Sequence, residues 1–489
     1  MRFLPGIGVI LLVGFIYVLA YLKSRRSKYA LALALIILCS LILRVYLSWD
    51  LYLHDWDERY HALVAKNMIG QPLKPMLYRD PVLPYDYRNW FANHVWIHKP
   101  PLPLWTMAAG MSLLGVNEAG LRFPSIVLST LAVLLTYGLG RRLFSRRVGL
   151  LAAFLHSIHG MIIELTAGKI ATDHVDLFFL FFVELAVYLV VVQRKRKTAG
   201  GAVLIGLAVG LAILCKWLPA LTVIALWVIL DMDFLRPRSV LHLAVILAVM
   251  VLVALPWQLY IRARFPAETA WETLFNLKHI TQVLDGQGGP ITYHLRVLVR
   301  SYGELILLPL VWLSVQSFRK LQDRKRLFLL AWIAIPVVVF SFFKTKMQAY
   351  TVFAAPALFL LTAVFFYYLK GTIRKRKPRW LASVCLVLLI GLPVRYSIDR
   401  LRFFRPEERS PQWVLDIKKL RGTLPDKTVI FNHRRPIEVM FYTDYVAYDH
   451  APSDKEKEIV LRKGYALAVV DGPNLPPALK ADQAVIHLK

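Results

Sequence analysis

Residues 122–147 read RFPSIVLSTLAVLLTYGLGRRLFSRR: an apolar run long enough to cross a bilayer, then a break holding four arginines. A spanning helix needs about 20 mostly apolar residues, and short basic loops stay on the cytoplasmic side. The same pairing recurs outward in both directions. Breaks at 23–28, 141–147, 194–198, 233–238, 318–326 and 370–379 hold 25 Lys and Arg against two acids, Asp233 and Asp323. They carry 23 of the net +29 charges of the 489-residue chain. Hydrophobic residues make up 57% and charged ones 19%, with a mean hydropathy of +0.52. A soluble core could not hide that much apolar surface. Composition therefore excludes disorder, a coiled coil and an ordinary cytosolic enzyme. Nucleic-acid binding would need a basic stripe interleaved with aromatics on a polar fold; here the charge follows topology instead.

Candidate spans lie near 6–22, 29–49, 122–140, 148–167, 174–193, 199–214, 217–232, 239–257, 302–317, 327–343, 351–369 and 379–396. The short pair 199–214 and 217–232 reads as hinged at Cys215-Lys216-Trp217. Ile7 to Leu22 has one preceding Arg and no clear small-residue cleavage site, so it reads as a retained span. With sides alternating from an external N terminus, all six basic loops fall inside. The connections 50–121, 168–173, 215–216, 258–301 and 344–350 fall outside, with the tail from 397. Counting Pro101 to Gly115 as a crossing would invert every later basic loop, so this run reads as a helix along the outer membrane face. The expectation is a polytopic α-helical protein: an N-terminal span with basic loop over 1–28, a transmembrane domain over 29–396 and an external domain over 397–489. In the tail, 427–433, 445–449, 466–471 and 484–488 read as strands, with helical patterns at 411–421, 436–443 and 453–463, a small α/β domain. Cys39, Cys215 and Cys385 are widely separated in apolar runs and indicate neither disulfides nor a Cys metal site.

The chemistry gathers in the external segments. His54-Asp55-Trp56-Asp57-Glu58-Arg59-Tyr60-His61 puts three carboxylates at the exit of a span. Interfacial anchoring explains the aromatics and the arginine but not three acids, which are costly at a bundle mouth unless they bind something or take protons. Further on, Lys99 precedes a proline run and suits an anion or a lipid headgroup. His94 and His98 are spaced i, i+4 and on a helix could share a divalent metal; a lone histidine pair is weak evidence. Asp173 sits in the next external turn, where helix capping is the bland role. Lys216, Lys344, Lys346 and Tyr350 lie in the later turns. Acids plus lysines above apolar helices suit transfer from a lipid-linked phosphate: lysines stabilise the departing phosphate, and a carboxylate orients or deprotonates the incoming hydroxyl. No Gly-rich phosphate loop, Ser-His-Asp set or zincin motif occurs.

These motifs resemble the GT-C glycosyltransferases, which include the protein O-mannosyltransferases and the lipid A aminoarabinose transferase. Asp57-Glu58-Arg59-Tyr60 resembles their Asp-Glu signature, and His98-Lys99-Pro100-Pro101 their Glu-Lys-Pro-Pro stretch. Val116-Asn117-Glu118 through Arg122-Phe123-Pro124-Ser125 is similar to Val-Asn-Glu, Arg-Leu-Pro-Ser. Lys169 to Asp173 resembles the second acidic motif, Gly206 to Lys216 a Lys-Gly turn with Trp217 in place of glycine, and Lys344 to Pro356 the late Ser-Lys, Tyr, Leu-Pro-Pro region. The ordered set covers about residues 40–395. The resemblance implies Asp57 and Asp173 as the acids on the acceptor side, with Lys99, Lys216 and Tyr350 holding donor phosphate and sugar; Glu58 is expected beside the catalytic acids, and Arg59, Tyr60, Lys344 and Lys346 beside the donor. His98 stands where the family has a glutamate proposed as a metal ligand.

The expected function is an inverting transfer of a sugar from a polyprenyl-phosphate donor to an envelope glycolipid, glycan or protein hydroxyl. It would take place on the outer face of a bacterial cytoplasmic membrane. An oligosaccharide ligase or oligosaccharyltransferase is the alternative enzyme. A lipid or glycan transporter is the alternative class, drawing on the intramembrane Arg44, Glu164 and Glu184, for which helix–helix pairing is the simpler account.

Overall fold

The structure, a computed structural model, describes residues 4–231, 234–320, 322–373, 379–404, 408–473 and 475–488. Residues 374–378 of the last basic loop, and Asp233 of the fourth, lie outside these. The chain divides into two compact units: residues 1–48, 124–260 and 273–407, and residues 49–123, 261–272 and 408–489.

The first unit is a helical bundle. Among the described residues, nine helices are long and apolar enough to cross a membrane, and two bent pairs bring the number to eleven. The pairs are Arg146–Ile158 with Gly160–Thr166, bent by 55°, and Tyr293–Tyr302 with Glu304–Arg319, bent by 115°. The shorter apolar helix Leu218–Leu230 supplies the twelfth expected segment. The hinge expected at 215–217 is present: Ala199–Lys216 ends where Trp217 takes φ +64°. Between 258 and 301, expected as loop, the chain continues helix Pro237–Arg264 and adds helix Pro266–Thr281. The helix Ala199–Lys216 packs against Pro237–Arg264 through small residues. A Cβ added at Gly206 would lie 2.6 Å from the Ile246 carbonyl, and one at Gly210 2.7 Å from Val253. Small residues at i, i+4 let backbones approach where lipid removes the hydrophobic drive.

Three charged groups, buried or half-buried in this bundle, make hydrogen bonds or ion pairs to neighbouring helices. Arg44 donates to Ser40 Oγ at 2.6 Å, Ser129 Oγ at 2.5 Å and the Ser157 carbonyl at 3.1 Å. The Thr136 hydroxyl donates to Glu184 at 2.5 Å, and Arg400 meets Glu164. The three intramembrane ions thus serve helix–helix pairing.

The second unit is built on residues 49–123, the short segment 261–272 and the tail from 408. Four strands, β1 (Thr428–Phe431), β2 (Val446–Ala447), β3 (Ala466–Val470) and β4 (Val485–Leu488), form a parallel sheet in the order β2-β1-β3-β4. The helices Gln412–Leu420, Pro436–Tyr442 and Asp454–Arg462 fall on the three expected patterns. A capping box, with Ser453 and Glu456 each serving the other's backbone, starts the last of them. The surface run forms the helix Pro101–Leu114 in this unit, with Pro101 in its first turn and Gly115 at φ +91° ending it. It packs beside the helix Asp57–Met68, which also touches Pro436–Tyr442 of the tail. Lys66 fastens that contact by donating to the carbonyls of Met440, Phe441 and Thr443 at 2.8, 3.0 and 2.8 Å. A cation there satisfies the open C-terminal carbonyls and opposes the helix dipole.

Candidate active site

Within the second unit, Asp57 is the first residue of its helix, a position where the helix dipole favours a carboxylate. Lys99 Nζ lies 3.9 Å from its Oδ2, and both side chains are mostly buried. The residue before it, Trp56, is held at φ +72°, ψ −132°, a conformation that L side chains rarely adopt.

Glu58, one residue on, is fully buried and occupied on all sides. Arg122 reaches Oε1 through Nε at 2.7 Å and Oε2 through Nη2 at 2.9 Å. The His54 backbone N–H donates to Oε2 at 2.6 Å, and the His54 ring lies 2.7 Å from it. Arg122 also holds the carbonyls of Asp50 and Tyr52 at 2.5 and 2.7 Å. Glu58, expected among the catalytic acids, ties the approach to Asp57 onto the arginine that opens the apolar run. Arg59 turns to the tail, 3.5 Å from Glu438, and Tyr60 packs on Trp90 and Phe91.

The helical premise for a shared metal at His94 and His98 does not hold. The segment is extended, with Val95 bridged to Met76. His94 lies against Tyr78 and Tyr85, and burial, then the Lys463 charge, lowers its pKa to about 4. His98 stacks on Trp90 and meets Glu272 at 2.7 Å. No group of three or more His, Cys, Asp or Glu fit to hold a metal occurs among the described residues. His94 and His98 thus have separate partners and are not placed as a shared pair of ligands.

Within the first unit, the turn after Thr166 places Asp173 fully buried at the start of the helix Asp173–Gln193. Thr172 and Asp173 stand at φ +69° and +27°. Of the capping role expected there, Asp173 makes one long bond, its Oδ1 accepting from the Val175 N–H at 3.4 Å, while the Thr172 hydroxyl donates to Asp176. Lys216 pairs with the other oxygen of Asp176, and its Nζ lies 4.6 Å from the centre of the Tyr350 ring. Lys216, Asp176 and Tyr350 are therefore together. Lys346 is turned inward, donating to the carbonyls of Ser341 at 2.7 Å and Phe343 at 2.5 Å. Desolvation, then Lys344, lowers its pKa.

Sequence reasoning passed over Arg122, Asp176 and Glu272 as site residues. Arg122 carried a signal, a cation opening an apolar run. Glu272 carried none.

The comparisons with known proteins agree with this architecture. Residues 98–257 match the family model described as dolichyl-phosphate-mannose-protein mannosyltransferase. Among curated relatives, undecaprenyl phosphate-alpha-4-amino-4-deoxy-L-arabinose arabinosyl transferase 2 of Pseudomonas fluorescens (strain Pf0-1) is 28% identical over 65% of this chain and 59% of its own. An uncharacterized protein of Aquifex aeolicus is 27% identical over 70% of this chain and 66% of its own. The chain spans about half to two thirds of the length of such relatives. Among solved structures, ArnT from Cupriavidus metallidurans in the apo state superposes with a TM-score of 0.61 at 17% identity, covering 88% of each chain. The Archaeoglobus fulgidus oligosaccharyltransferase gives 0.58 at 14%, covering 88% of this chain and 67% of its own. The fold is that of the GT-C glycosyltransferases. In sequence the chain is similar to the arabinosyl transferases named above, as its motifs led one to expect.

Proposed function

We propose that the protein transfers one sugar from a polyprenyl phosphate to a hydroxyl of an envelope glycolipid, glycan or protein, on the extracytoplasmic face of a bacterial cytoplasmic membrane. The observation that carries this reading is Asp57: an acid at a helix start, beside Lys99, behind a strained tryptophan and braced by the Glu58–Arg122 pair. In this reading the acceptor oxygen attacks the anomeric carbon from the face opposite the phosphate. The bond from that carbon to the phosphate oxygen breaks with its electron pair, and polyprenyl phosphate leaves. The acceptor proton passes to a carboxylate, Asp57 or Asp173. A lysine, with Lys99 of the second unit and Lys216, Lys344 and Lys346 of the first as separate candidates, balances the growing charge on the phosphate. Tyr350, under Lys216, would line the donor, while Arg59 and Tyr60 act through the fold. The long isoprenoid would stay among apolar helices, so no nucleotide-binding domain is called for. The relatives' names, which specify an undecaprenyl-phosphate aminoarabinose donor, support this donor class.

The test is transfer by purified protein in liposomes with a polyprenyl-phosphate sugar, read by product mass. Asp57→Asn should lower the rate by about 10²–10⁴-fold while the protein stays folded. A wild-type rate in that variant overturns the assignment. A product heavier by a preassembled glycan block would point to a ligase or oligosaccharyltransferase, and movement of a labelled lipid without covalent change to a transporter.

A further inference from the structure

The first unit contains a cavity of about 860 Å³ whose lining cations come from three of the six basic loops, 194–198, 233–238 and 318–326. Eight Lys and Arg side chains line it against two acids, Asp231 and Asp323. Some of these cations are already engaged. Lys197 is held by Asp231 at 2.7 Å and Ser239 at 2.6 Å, Arg326 by Asp323 at 3.0 Å, and Lys325 by the Leu143 carbonyl at 2.7 Å. Arg194, Lys195 and Arg324 have no polar partner among the described residues, and Arg324 Nε is buried. Beside them Trp312, Leu313, Leu329, Leu361 and Val364 form an apolar wall.

Topology alone requires basic loops, but solvated ones. It does not require eight cations gathered round one concavity with a wall of hydrocarbon, where like charges repel one another. An anion seated there relieves that repulsion and gives Arg324 a partner. An anion that also carries hydrocarbon covers the apolar wall. The geometry points to a binding site for the phosphate headgroup of an anionic phospholipid, at the end of the bundle that bears the basic loops. Basic pockets between helices suit headgroups with more than one phosphate. The site is independent of the sugar-transfer reading, since none of its residues belongs to the acid and lysine set proposed above.

The experiment is native mass spectrometry of the full chain in detergent, offered cardiolipin, phosphatidylglycerol or phosphatidylcholine, beside the triple variant R194Q/K195Q/R324Q. Cardiolipin should be retained at least about tenfold over phosphatidylcholine by the wild type, and the variant should lose that preference about tenfold or more. Equal retention of the two lipids by the wild type, or an unchanged preference in the variant, overturns the proposal. Thermal unfolding of the wild type decides independently of whether the variant folds. Cardiolipin should raise Tm where phosphatidylcholine does not; pyrophosphate raising it as much as cardiolipin overturns the lipid in favour of a free phosphate site.

Discussion

Arg122 opens an apolar run and yet its guanidinium is fully buried, spent on Glu58 and on two loop carbonyls. An ion pair withdrawn from solvent is costly to break from one side, because the remaining charge keeps its desolvation penalty. Arg122→Met should therefore destabilise the protein by about 3–5 kcal/mol, and Glu58→Gln by a similar order. The double variant should lose less than the sum of the two, which denaturation of the detergent-solubilised protein would measure. At His94 the sign runs with pH. Its pKa of about 4 lies below the usual histidine value, so between these two limits the unfolded chain takes up a proton that the folded chain refuses. Stability held near pH 7 should decline as pH falls through 6 toward 4, and His94→Gln should flatten that slope in thermal unfolding scans. The histidines show how far residue type alone carries. Their spacing suggested a metal, but an extended backbone left one between tyrosines and gave the other a glutamate partner.

At the scale of elements, the ends of the helices carry the information. Three helix boundaries place a non-glycine residue at positive φ beside a candidate charge: Trp56 before Asp57, Thr172 before Asp173, and Trp217 after Lys216. Such conformations cost about 1–3 kcal/mol each and persist where surrounding structure over-determines them, commonly at functional sites. Trp217 occupies the position where the resembled motif has glycine, so that departure in sequence corresponds to a measurable backbone feature. Trp56→Gly should stabilise the protein by about 1 kcal/mol, strain relief being partly offset by a freer unfolded chain. It should also slow sugar transfer, because Asp57 loses its fixed start. A variant that is both more stable and equally active would disconnect the strain from the site. The tail's strands and helices were legible because each had its own short period and turn residues. The extra helix Pro266–Thr281 was not, since its mixed sequence, PAETAWETLFNLKHIT, offered only a weak apolar stripe.

For the whole molecule, the charge pattern predicts which way the chain lies across the membrane, and this can be measured without any substrate. Asp55 is exposed in the second unit, and Ser27 is exposed in the first basic loop. In a background with Cys385→Ser, a cysteine at 55 should react with an impermeant maleimide from outside intact spheroplasts. One at 27 should react only after permeabilisation. The reverse pattern would place the acids in the cytosol and end the proposed reaction. Membrane character, the order of the spans and the small α/β tail followed from the sequence by itself, because hydropathy, charge bias and strand period are properties of neighbouring residues. The tertiary structure alone decided that Glu58 belongs to Arg122, His98 to Glu272 and Lys216 to Asp176, partners 64, 174 and 40 residues apart. A burial penalty of several kcal/mol makes each such ion find a partner, but which partner depends on where packing brings distant segments, and no local pattern encodes that.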